Sequence, residues 1–211
     1  MMKYFIDFHV HSCLSPCSDN DMTVNNIAGM ALVKGLNIVA LTDHNTCKNC
    51  PAFFEACAKY AVTPVAGMEL TTAEEIHLVC LFEKLENAIK FGEEIYRCLP
   101  DIQNREKIFG RQIILDGADN IIGKEEKLLA TAASVTIDEA VLMVDRYGGA
   151  CYPAHIDREA NGIIAILGTF PEHPLFNFYE LCDERKNEEY KLAYPEMYLI
   201  SQLFRLPRGQ Y

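Results

Sequence analysis

The stretch "YFIDFHVHSCLSPCSDND" (Tyr4–Asp21) opens on an apolar, aromatic run, then sets His9 and His11 two apart with acids close behind. Tyr4–Val10 reads as a short buried strand. In a strand, residues i and i+2 point to the same side, so two imidazoles face one direction. Imidazole suits zinc, iron and other first-row metals. An H-x-H pair alone decides little, because a histidine at a strand end is more often a satisfied polar residue than a ligand.

Working outward, short apolar runs alternate with helical patterns. Thr23–Lys34 reads as a helix stopped by Gly35, and Leu36–Leu41 as the next strand, ending in "TDHN". Pro51–Tyr60 is a second helix with proline at its start. "TPVAGMEL" and "IHLVCLF" are two further strands, and Leu85–Leu99 is a helix. The alternation predicts an α/β fold with parallel strands. It breaks at 101–129, where two apolar runs flank Asp116–Asn120 and predict an inserted hairpin. It resumes at Thr136, an N-cap with Glu139 as capping-box partner and Gly148 as the stop. "GACYPAHIDR", "FNFYEL" and "MYLIS" read as later strands, with "ERKNEEYKLA" a charged helix between the last two. A single domain over residues 1–211 is the simplest organisation.

Half of the 211 residues are hydrophobic, enough for a sizeable core. The formal net charge of −11 argues against a broad nucleic-acid footprint, which needs clustered Lys and Arg. Nucleic acid is therefore not expected as a partner. A small phosphate ester is not excluded, because a metal supplies positive charge locally. The nine cysteines, with no long apolar core in "MMKYFIDFHVH", predict free thiols in a reducing cytoplasm. No apolar run approaches a membrane span.

Five of the six histidines lie at strand ends, and four of them follow one rule, the C-terminal end. His9 and His11 end the first strand, His44 ends the second, and His155 ends the strand in "PAHID". Glu69 closes the third strand and His77 opens the fourth. In a parallel barrel the strand C-termini gather on one face, where active sites are built. His77 departs from the rule, but the loop from Glu69 can fold back over that face. These residues are candidate metal ligands, with Asp7, Asp19, Asp43 and Asp157 as further oxygens or as acceptors orienting the rings. His173, in "PEHPL", reads as a surface residue.

"DFHVHS", "ALTDHN", "GMELTT", the following His77 and "PAHIDR" resemble, in that order, the motifs of the polymerase and histidinol phosphatase (PHP) family. The resemblance implies a distorted seven-stranded (β/α) barrel with two or three divalent metals, zinc, manganese or iron, at the strand ends. It also implies phosphoester hydrolysis, here of a small phosphorylated substrate. Carried over, His9, His11 and Glu69 hold one metal; Glu69, His77 and His155 a second; Asp19 and His44 begin a third. Glu69 and His155 thereby become catalytic candidates. Arg158 is a candidate phosphate clamp, since guanidinium matches a phosphate edge, although a rim ion pair with Asp157 or Glu159 is the alternative. A non-catalytic metal-binding module and a nuclease or proofreading module are the rival functions.

Cys13, Cys17, Cys47 and Cys50 follow the histidine motifs and are expected near the same mouth. They read as free thiols packing as small hydrophobes, with a structural zinc site or a redox-sensitive cover as alternatives. The family pattern closes on Asp-x-His after a late strand, whereas "MYLIS" is followed by "QLFRLPRGQY". The end after about Ser201 therefore reads as truncated or altered. The expected consequences are an empty or weakly filled third site, reduced activity, and an uncovered flank beside the first strand that invites self-association.

Overall fold

The computed structural model describes residues 4–200. β1 (Ile6–Val10), β2 (Ile38–Leu41) and β3 (Thr63–Thr71) lie side by side and parallel, with Ile6 opposite Ile38 and Ile38 opposite Thr63. Each step is a helical crossover, as parallel neighbours require. The Thr23 hydroxyl caps α1 (Val24–Val33) by accepting from Asn26 N, and Gly35, at φ +70°, turns the chain out of it. α2 (Cys50–Tyr60) carries Pro51 in its first turn, where no amide donor is needed.

The next strand departs from the parallel expectation. β4 (His77–Phe82) runs antiparallel to β3, with Thr71 opposite His77 and Glu69 opposite Val79. The physical reason is length: the few residues between β3 and β4 cannot carry a crossover, which takes a dozen or more. α3 (Leu85–Cys98) follows, then α4 (Glu106–Phe109). β5 (Ile113–Leu115) and β6 (Ile121–Lys124) form the hairpin expected within 101–129. α5 (Ile137–Arg146) starts on the anticipated capping box of Thr136 and Glu139. β7 (Gly149–Pro153) is antiparallel to β4 and so returns to the direction of β1–β3.

Among the described residues the main sheet has five strands in the order β1-β2-β3-β4-β7, an open half-barrel, where seven were expected. Beyond it come α6 (Ile163–Leu167), β8 (Phe178–Tyr179), α7 (Asn187–Ala193) and β9 (Tyr198–Leu199), the last parallel to β8. The segment after β8 docks on the end of β7: Glu180 N donates to Pro153 O at 3.3 Å and Ile156 N to Glu180 O at 2.9 Å. The altered chain end inferred after Ser201 lies outside the described residues.

The two faces of the sheet have different work. Met68 and Leu70 of β3, with Leu78 and Cys80 of β4, enter the main core with Phe53 of α2 and Phe91 and Ile95 of α3. Each large apolar side chain buried there contributes roughly 1.5–3 kcal/mol. Glu69, between Met68 and Leu70, faces the other side, beside Val79 and Tyr152. The alternation of β3 thus drives one face into the core and presents a single carboxylate on the other.

Candidate metal centre

Five imidazoles converge on the carboxylate of Glu69, and they divide between its two oxygens. On Oε2, His9 Nε2 stands at 3.1 Å, His11 Nε2 at 3.0 Å and His44 Nδ1 at 3.3 Å. On Oε1, His77 Nδ1 stands at 2.9 Å and His155 Nε2 at 3.0 Å. All six residues are buried. Ring nitrogens also face one another, His9 Nε2 to His11 Nε2 at 3.1 Å and His77 Nδ1 to His155 Nε2 at 3.2 Å.

The backbone accounts for this placement. His9 lies in β1 and His11 one step past its end. His44 follows β2 and forms an isolated parallel bridge to Glu69. His77 is the first residue of β4, and because β4 is reversed, its start lies beside the C-terminal end of β3. The histidine that broke the strand-end rule is thereby carried to the same edge by the antiparallel turn. His155 sits past β7 with φ +32°, a left-handed backbone unusual outside glycine. Such conformations persist where the surroundings enforce them, often at functional sites.

A second ring of residues holds the first. Glu180 Oε2 lies 2.6 Å from His9 Nδ1, with neither side chain exposed. Ser15 Oγ stands 2.9 Å from His11 Nδ1, donates to Asp43 Oδ1 at 2.6 Å, and accepts from His44 N at 3.0 Å. Asp43 also accepts from Ser12 N and Ser12 Oγ. Asn45 locks the opposite wall, since its Oδ1 accepts from Thr71 N and its Nδ2 donates to Leu129 O and Thr131 O. Partners of this kind fix which ring nitrogen faces inward. The sequence reading offered Asp43 as an acceptor orienting the rings; Asp43 bonds to Ser12 and Ser15 rather than to a ring, and the reading missed Glu180 and Ser15. Glu180 had a signal, an acid ending the apolar run "FNFYE", but Ser15 had none.

The electrostatics follow from burial and crowding. Burial raises the Glu69 carboxyl, yet His9, His77 and His44 outweigh it and hold the pKa well below the usual carboxylate range. Burial works against the His9 imidazolium, but Glu180 and Glu69 overcome it and lift the pKa to about 9. For His77 burial prevails over Glu69 and lowers the pKa to about 4, and burial lowers His155 as well. Histidines with opposite proton preferences therefore share one carboxylate.

The donor set fits divalent metal ions. Two facing imidazole nitrogens satisfy each other only when one carries a proton, whereas a cation between them satisfies both. Nδ1 of His44 and Nδ1 of His155 are buried without a hydrogen bond among the described residues. Among the described residues three groups have donor atoms close enough for one ion: His9 with His11 and Glu69, His44 with Glu69 and His77, and His11 with Cys17 and His44.

The remaining candidates lie elsewhere. Asp19 is exposed, its Oδ1 accepts from Asp21 N at 3.0 Å, and among the described residues it joins no ligand group with the histidines. In its place Cys17 groups with His11 and His44. Burial raises the Cys17 thiol, but His11 and His44 outweigh it and bring the pKa down to about 4. Cys13, Cys47 and Cys50 are buried apart from it, with Cys13 Sγ toward Ile113 O and the other two toward Gly67 O. Arg158 is exposed, tied to the site through its backbone N, which donates to His155 O at 2.9 Å. Asp157 accepts from Cys182 N at 2.6 Å and Asp183 N at 2.9 Å, and so anchors the chain after β8 rather than a ligating ring.

Known proteins share this architecture. The lesion-specific endonuclease Q of Pyrococcus furiosus matches at 18% identity over 85% of this chain, with a TM-score of 0.57. This chain spans 42% of that endonuclease. A candidate metal-dependent phosphoesterase from Bifidobacterium adolescentis matches at 14% identity, over 94% of this chain and 86% of its own, with a TM-score of 0.60. An endonuclease Q complex with a 27-mer duplex bearing an abasic lesion at the active site matches at 19% identity, over 83% of this chain and 42% of its own, with a TM-score of 0.54. No curated protein matches. The endonuclease complex overturns the expectation that nucleic acid is not a partner, because a protein similar in fold holds a duplex at its active site. The physical reason is that net charge sums over a whole chain, whereas a metal centre supplies positive charge where the phosphate sits. Among the described residues no helix is long and apolar enough to cross a membrane. The PHP domain profile matches residues 7–148, and with the ordered motifs at His9, His11, His44, Glu69 and His77 inside that span, the chain belongs to the PHP domain family.

Proposed function

We propose that this protein is a metal-dependent phosphoesterase, hydrolysing a phosphate ester at the cluster around Glu69. The observation that carries the reading is the division of five imidazoles between the two oxygens of one buried carboxylate. That arrangement supports a pair of ligand sets joined by a bridging Glu69. His9, His11 and His44 would hold an ion on the Oε2 side, and His77 and His155 one on the Oε1 side. Bound there, divalent ions supply Lewis acidity toward water and toward phosphoryl oxygens.

The chain's own residues prepare the site. Glu180 and Ser15 hold the His9 and His11 rings by Nδ1, which leaves Nε2 of each facing inward. Glu69, with its pKa held low, stays ionised and offsets the positive charge gathered around it. Arg158, exposed three residues after His155, would be the clamp for a phosphate arriving from solvent.

The substrate is either a small phosphate ester or a phosphodiester in nucleic acid. The second reading is favoured by the fold shared with endonuclease Q. The test is phosphate or oligonucleotide release by the metal-stripped chain before and after reloading with Zn²⁺, Mn²⁺ or Fe²⁺. The substrates would be a phosphate monoester panel and a duplex carrying an abasic lesion. Turnover that returns with metal and is lost in His9→Ala supports the enzyme. Bound metal without turnover on either class supports a non-catalytic module instead.

A further inference from the structure

After β1 the chain coils back on itself. Ser15 N donates to Ser12 O at 3.0 Å, Ser18 N to Ser15 O at 3.0 Å, and Cys13 N to Met22 O at 2.8 Å. Ser18 Oγ closes the coil on His11 O at 3.4 Å. The coil sets Cys17 against His11 and His44, with one donor atom of each within 4.8 Å of the other two. The histidines do not depend on the cysteine for their position, since Ser15 Oγ holds His11 Nδ1 at 2.9 Å and His44 N at 3.0 Å. His44 is buried, and its Nδ1 makes no hydrogen bond among the described residues although Glu69 Oε2 stands 3.3 Å away. A soft sulfur donor and an imidazole short of a partner therefore share one small space.

We infer that Cys17 is a thiolate ligand to the metal ion held by His11 and His44, and that it selects a zinc-like ion over manganese. The inference rests on the metal-centre reading of the Glu69 cluster. Thiolate and imidazole together suit zinc and cobalt, whereas manganese prefers oxygen donors. The identity of the ion follows from His11. Its Nδ1 is engaged by Ser15, so Nε2 is the nitrogen left for a metal, and Nε2 faces Glu69 Oε2 at 3.0 Å. One ring nitrogen binds one ion. The ion that meets Cys17 is thus the ion on the Oε2 side of Glu69, not one remote from it. Asp19 as the third member of this group would have made an oxygen-rich site, and the structure sets the Cys17 sulfur beside the two histidines instead.

The test is titration of the metal-free full chain with Co²⁺, read by absorption. A thiolate ligand gives an intense near-ultraviolet charge-transfer band that histidine and carboxylate ligands do not give. The band should appear in the wild type, persist in Cys182→Ser, and vanish in Cys17→Ser while the weaker visible cobalt bands remain. Cys17 is exposed, so the serine variant should fold, which a thermal melt checks. In competition, Cys17→Asp should move preference from Zn²⁺ toward Mn²⁺. Cobalt bound without the band, or a band that survives in Cys17→Ser, overturns the thiolate site and leaves the metal centre standing. No cobalt bound at all overturns both.

Discussion

His9 and Glu180 stand 2.6 Å apart, Nδ1 to Oε2, and join the first strand to a residue 171 positions later. The contact fixes the His9 ring with Nε2 toward Glu69. Loss of such an orienting partner typically costs about 10–100-fold in metal affinity. Glu180→Gln should show a loss of that size by calorimetric titration with Zn²⁺. Glu180→Ala should also destabilise the metal-free protein by about 3–5 kcal/mol, because it strands a buried charge. An unchanged affinity in both Glu180→Gln and Glu180→Ala would show that Glu180 does not orient His9 toward a metal.

Glu69 and Asp157 are both carboxylates near histidines, but they should respond differently to the loss of charge. Glu69→Gln removes the anion between five imidazoles and should abolish tight metal binding and turnover. Asp157 braces Cys182 N and Asp183 N, so Asp157→Asn should retain metal and lose about 1.5–3 kcal/mol of stability, the worth of hydrogen bonds to a charged acceptor. Metal analysis and denaturant melts of the two variants check this. Equal small losses would argue that Glu69 joins no ions.

The pH dependence has a definite sign. In the metal-free protein the His9 pKa is raised from 6.5 to about 9, so its contribution to stability is fully present below pH 6.5 and fades as the pH rises through 9. Metal ions need the neutral ring. Affinity should therefore climb with pH toward 9, and binding should release protons. Titration calorimetry in two buffers of different ionisation enthalpy reads the proton count. Affinity independent of pH between 6.5 and 9 would contradict the assignment of His9.

Gly67 lies two residues before Glu69, where the sheet admits no side chain. A Cβ there would stand 2.7 Å from Cys80 O and 2.9 Å from both Leu81 and Thr42. Gly67→Ala should destabilise the chain by about 1–3 kcal/mol through overpacking, measured in a urea melt. Gly123→Ala, whose nearest neighbour is the Ile114 side chain at 3.7 Å, is the control and should be close to neutral.

The clustered histidines and Glu69 were legible because their signal is local. An H-x-H pair needs only the two-residue period of a strand, and His44, Glu69 and His155 each close or follow an apolar run. The capping box at Thr136 was equally readable, being a contact three residues long. The antiparallel course of β4 was available in the short connection between Thr71 and His77, but the helix-strand alternation on either side masked it. What escaped were contacts set by chain paths rather than patterns. Cys17 and Asp19 differ only in where one coil places them, and Glu180 meets His9 across most of the chain.

The central claim is that Glu69 joins two imidazole sets around bound metal. Its most direct test is the divalent metal content of the full chain and of Glu69→Gln, purified side by side without added metal and dialysed against a weak chelator. The account predicts retained zinc, manganese or iron in the wild type and little or none in the variant. A wild type that retains no divalent metal, or a variant that retains as much as the wild type, would contradict it.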